Sequence, residues 1–114
     1  MTMNDDYSVP PRRLIETIKC EFDGTNFYLT LGFYNGNRIG EVHISGFKHG
    51  SNVNLLMEDA CALISALLQR FVSPEALHEL VLRNPDGSPA SLIGAAIFHL
   101  VERASEFGGD NGKT

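Results

Sequence analysis

The residues best placed to do chemistry lie in the loop Gly46-Phe47-Lys48-His49-Gly50-Ser51, which opens directly onto a long apolar segment. If that segment is a helix, its first backbone N–H groups point into the loop. Beside Lys48, His49, Gly50 and the Ser51 hydroxyl they could hold a phosphate or carboxylate. The spacing is not that of a Walker loop. The same residues also describe an ordinary strand-to-helix turn, with Ser51 as the N-cap. Both readings stand on the sequence alone. The histidines His43, His49, His78 and His99 and the thiols Cys20 and Cys61 follow no zinc spacing, so no metal or other cofactor is expected. Cys20 and Cys61 fall on expected core faces, where a free thiol behaves as a small hydrophobe. Ser65, within the apolar segment, is expected to bond back to a carbonyl one helical turn earlier. No nucleophile has an identifiable neighbouring base, so no catalytic residue is assigned.

The elements that would position these residues follow from periodicity. Val53, Leu56, Met57, Ala60, Cys61, Leu63, Ile64, Leu67, Leu68 and Phe71 recur at helical spacing. So wide an apolar stripe predicts a central helix with a sheet on one side and other helices on the other. Before it, residues 13–22 alternate, with Leu14, Ile18, Cys20 and Phe22 on one face, interrupted by Glu16. Asp23-Gly24 signals a hairpin turn. A second strand points Phe27, Leu29, Leu31 and Phe33 inward, Asn35-Gly36-Asn37 makes another turn, and a third strand points Val42 and Ile44 inward. Ser73-Pro74-Glu75 starts a short helix, and Ser88-Pro89 repeats that device for a last one, which Gly108-Gly109 is expected to end. The expected fold is α+β: a three-stranded antiparallel meander followed by three helices on one face of the sheet. Residues 1–12 read as a flexible lead-in, 13–107 as one domain and 108–114 as a flexible tail.

The outward sheet face would carry Ile15, Tyr28, Thr30, Tyr34, Ile39 and His43. Aromatic residues on an open sheet can stack nucleobases. A net charge of −5 with no basic cluster argues against nucleic acid and against anionic membrane. A self-association surface accounts better for wet apolar side chains, and Ile15, Tyr28, Tyr34, Ile39 and His43 are its expected members in a homo-oligomer. The hydrophobic fraction of 43% and charged fraction of 20% are those of a globular domain. No apolar run approaches the ~20 residues of a membrane span. The acidic first residues lack the order of a secretion signal, and two cysteines without CxxC spacing point to a reducing, cytoplasmic compartment.

The run LTLGFYNGNRIGEVHISGFKHGS, the apolar segment containing LISALLQ, and SPEALHELV together resemble the TSCPD domain. That domain occurs near the carboxyl end of adenosylcobalamin-dependent ribonucleotide reductases and in small stand-alone proteins. Gly36 and Gly40 precede Glu41-Val42-His43-Ile44. Lys48, Gly50 and Ser51 match the family loop, Ile64-Ser65 its long helix, Pro74-Glu75 the next helix start, and Ser91 and Gly94 the closing helix. The likeness spans about residues 14–103. The Thr-Ser-Cys-Pro-Asp run that names the family is missing, its place held by Arg83-Asn84-Pro85-Asp86-Gly87. These 114 residues are too few for a reductase barrel or a cobalamin site, so the resemblance implies no reductase activity for them alone. It implies an accessory, regulatory or oligomerisation module whose partner is itself or a ribonucleotide reductase-type protein. The alternative is a small-anion or nucleotide-binding module built on Lys48, His49, Gly50 and Ser51.

Overall fold

Three strands and three helices follow one another along the chain in a computed structural model that describes residues 14–34 and 38–113, with side chains to residue 106. The lead-in expected over 1–12 and the turn expected at 35–37 lie outside the described residues. Strands β1 (Leu14–Phe22), β2 (Thr25–Tyr34) and β3 (Arg38–Ser45) form an antiparallel sheet in that order. Helices α1 (Asn52–Gln69), α2 (Pro74–Leu80) and α3 (Leu92–Lys113) follow. The α+β meander-then-helices architecture is the one expected.

Alternation sets the sheet. Cys20, Phe27, Leu29, Leu31, Phe33, Val42 and Ile44 are buried on one face, as their spacing requires. Asp23 and Gly24 both adopt positive φ, +50° and +81°, the dihedral signs of a type I′ hairpin turn. Glu16, the polar interruption in the inner face of β1, meets Arg103 of α3, whose Nε donates to Glu16 Oε1 at 3.0 Å. Arg103 also pairs with Glu106. A carboxylate at the rim of the core is thereby matched by a charge 87 positions later in sequence.

Ile39 corrects the outward assignment made from alternation. It is 4% exposed and belongs to the core. The cause is a bulge: Gly32 pairs with Glu41, but the next residue, Phe33, pairs with Ile39, so Gly40 has no cross-strand partner. One inserted residue shifts the phase of the strand and turns Ile39 inward beside Phe33. Gly40 suits the position because a Cβ there would lie 2.7 Å from the Tyr34 ring.

Helix α1 lies along the free edge of β3. Ser65 Oγ accepts from Val42 N–H at 3.0 Å and donates to Val42 C=O at 3.3 Å, and Gln69 Nε2 donates to Gly40 C=O at 2.9 Å. The Cys61 thiol faces the Ile44 backbone. Four helical residues rise about 6 Å and two strand residues about 6.8 Å, so residues 61, 65 and 69 keep step with 44, 42 and 40. Ser65 therefore bonds an edge strand and not its own helix. The edge that would otherwise be open to another chain is closed.

The other helices are held by local caps. Ser73 Oγ accepts from Ala76 N–H at 3.1 Å, with Pro74 in the first turn, as expected. For α3 the expected Ser88-Pro89 cap is replaced by Ser91, whose Oγ accepts from Gly94 N–H at 3.0 Å. Ser88 is already engaged with Asp86 Oδ1 and Asn84 Nδ2 in the preceding loop. Helix α3 runs on to Lys113, past the Gly108-Gly109 pair expected to stop it. Glycine lowers helix stability by about 1 kcal/mol per residue without forbidding the conformation.

Candidate functional site

The Lys48–Ser51 loop is built as a turn and a cap. Ser51 N–H donates to Lys48 C=O at 3.0 Å, and Gly50 takes φ +77°. Ser51 is extended, at φ −72° and ψ 161°, and its Oγ accepts from Asn54 N–H at 3.2 Å. One orphan donor of the helix start is thus satisfied from within the chain. Lys48, His49 and Gly50 are exposed. The loop brings together the four residues expected there, and the hydroxyl among them is committed to the helix.

The outer sheet face is arranged in cross-strand rows: Ile15, Gly32 and Glu41; then Thr17, Thr30 and His43; then Lys19, Tyr28 and Ser45. Ile15 is 59% and Tyr28 42% exposed, and His43 is exposed as well. Tyr34 is half-buried, its ring against Gly40. Thr17 and Thr30 share a hydroxyl hydrogen bond of 3.0 Å. A shallow depression of about 280 Å³ runs from Ile15, Thr30 and Gly32 across Glu41 and His43 to Ser65 and Gln69. Its floor is low because Gly32 has no side chain: a Cβ there would sit 3.2 Å from Glu41 Cβ. Of the five outer-face residues expected to associate, Ile15, Tyr28 and His43 share this surface, Tyr34 lies at its edge, and Ile39 is in the core.

A second, open cleft of about 570 Å³ lies between the β1–β2 turn and the loop before α3, lined by Phe22, Asp23, Asn84, Pro89, Phe98 and His99. Asn84 Nδ2 is taken by Ser88 Oγ and Pro89 C=O. Burial pushes the Cys61 thiol up to about 11, outweighing the lowering effect of the Ile44 backbone, and burial also raises that of Cys20. Both are free thiols held in the protonated form at neutral pH, the inert kind. Among the described residues, no group of three or more His, Cys, Asp or Glu could hold a metal ion. Nor, among those residues, is any helix long and apolar enough to cross a membrane.

The surface that periodicity alone did not locate is on α1. Its buried face is Asn54, Met57, Cys61, Ile64 and Leu68. Leu56, Leu63 and Leu67 are 55%, 67% and 39% exposed. The expectation that other helices cover this side is corrected: α2 packs on α3, while α1 packs principally on β3. The signal was in the sequence, since a stripe wider than one buried face can serve two neighbours.

No curated protein and no solved structure matches the chain. A family model for the TSCPD domain matches residues 4–105, nearly the whole chain and all three strands and the first two helices of the fold described above. The chain therefore belongs to the TSCPD domain family.

Proposed function

We propose that this chain is a non-catalytic association module, an accessory or regulatory TSCPD domain that works by contact with itself or with a ribonucleotide reductase-type protein in a reducing, cytoplasmic setting. The observation that carries this reading is the uncovered apolar side of α1, where Leu56 and Leu63 are more than half exposed although the helix has a complete buried face. Monomers leave single apolar side chains wet, but a row of them on one element is the usual mark of a contact surface. The buried, protonated thiols agree with the reducing setting.

The test is solution mass by light scattering, on the full chain alone, with a reductase subunit, and with a panel of nucleotides. Self-association or a complex with the subunit, unchanged by nucleotide, is the expected result. A chain that stays monomeric and binds no subunit would sink the reading. A nucleotide-dependent rise in melting temperature, lost in Lys48→Ala with Ser51→Ala, would instead transfer the function to the loop.

A further inference from the structure

Leu56, Ala60, Leu63 and Leu67 succeed one another at intervals of four, three and four along α1, with Val53 beginning the same row three residues earlier. That is the seam spacing of paired helices. At 100° per residue Glu58 and Asp59 fall outside the row. We propose that the row is the contact between two copies of this chain, with α1 packed antiparallel on α1 across a two-fold axis. The inference rests on the association reading and specifies its partner.

Three observations support a second copy. The first is self-complementarity. Turned end to end about its middle, the row sets Leu56 against Leu67 of the second copy and Ala60 against Leu63. Small then meets large at the centre, and leucine meets leucine at both ends. An isologous interface requires a patch that matches itself in this way. The second is area. Val53, Leu56, Leu63, Leu67 and the adjoining Phe71 are 42%, 55%, 67%, 39% and 76% exposed. At about 200 Å² for a fully exposed side chain of this size, they present roughly 500 Å² per copy. Two copies burying them would cover about 1,000 Å², the lower bound for a specific interface before any polar rim is added.

The third observation is Phe71 itself. Its N–H donates to Leu68 C=O at 2.9 Å and Val72 N–H donates to Leu67 C=O at 3.0 Å, which closes α1 in a Schellman motif. That motif needs a left-handed residue, and Phe71 supplies it at φ +68°. Glycine is the usual occupant, and a bulky residue there is an outlier. Among the described residues the ring stacks on the Arg38 guanidinium, 4.5 Å from its centroid, and it is 76% exposed. Closing the helix does not account for an exposed aromatic ring at a strained position. In the antiparallel pair it reaches the level of Asn52 and Val53 of the second copy, and a contact there does account for it.

The experiment measures sedimentation of the full chain and of two variants across a concentration series, with melting followed alongside. Leu63 is 67% exposed and lies outside the buried face of α1, so Leu63→Glu is expected to loosen the dimer at least 100-fold while remaining folded. Phe71→Gly is expected to move the two readouts in opposite directions. It raises the melting temperature in the monomeric Leu63→Glu background and weakens the dimer about tenfold in the otherwise native chain. Mixing Leu56→Cys with Leu67→Cys and oxidising should give the mixed disulfide. A wild-type monomer at every concentration overturns the inference. An oligomer that survives Leu63→Glu but is broken by Tyr28→Lys also overturns it, while leaving the association reading intact on the sheet face. Same-residue disulfides in preference to the mixed one overturn the antiparallel geometry and with it the proposal.

Discussion

At Val42 the edge strand presents a backbone N–H and a C=O to the helix beside it, and a single hydroxyl, Ser65 Oγ, meets both. Ser65→Ala removes donor and acceptor together and leaves two strand groups without protein partners. A polar group shut away from partners costs about 1–3 kcal/mol. Ser65 is half-buried, so some water reaches the site, and a loss of about 1–2 kcal/mol is expected for the variant. Denaturant midpoints will report the loss, and amide exchange will locate it, with Val42 N–H exchanging faster in Ser65→Ala than in the native chain. Unchanged exchange at Val42 would mean that the hydroxyl does not pair the edge. Nothing in the local sequence announced this bond, because its partner lies 23 residues earlier on another element. Ile39 escaped the sequence for a related reason. Strict alternation assigns it outward, and only the pairing of Phe33 with Ile39 across the bulge shows that the phase has slipped.

Elements were more legible than contacts. The strands follow from period-two burial, the first hairpin from Asp23-Gly24, and the starts of α1 and α2 from Ser51 and Ser73. Both serines make the expected bond to the amide three residues on. What periodicity could not give was the neighbour of each apolar stripe: it measures how much of a helix avoids water, not what covers it. The same limit applies to the loop before α1, where one set of residues describes a cap and an anion site equally well. A pair of substitutions separates them. Ser51→Ala should cost about 1 kcal/mol as a lost N-cap, whereas Ser51→Asp, an equally good cap, should be stable to within about 0.5 kcal/mol of the native chain. Chemical denaturation of the two variants measures both. A Ser51→Asp variant as unstable as Ser51→Ala would show that the hydroxyl serves something other than the cap.

The whole molecule is 22 Å across its thinnest direction, the depth of a sheet and one helical layer. Such a plate has two broad surfaces. Cross-strand rows of threonine, histidine, glutamate and tyrosine occupy the sheet side, and α1 presents leucines beyond its buried face. An apolar contact and a charge contact predict opposite responses to salt. The chain carries a net charge of −5, so two copies brought together repel at long range. Salt screens that repulsion, with a Debye length of about 10 Å at 0.1 M, and sulfate strengthens apolar burial besides. If the leucine row is the contact, the dimer should tighten steadily as sodium sulfate is raised, by roughly tenfold for each 1.4 kcal/mol gained. If copies meet instead by pairing Lys19 of one with Glu41 of the other, the attraction is between charges, and the same salt should loosen them. Sedimentation of the native chain at low and high sulfate, with sodium chloride as the control for screening alone, reads the sign directly. A dimer that loosens in both salts would rest on charge pairs and not on the leucine row of α1.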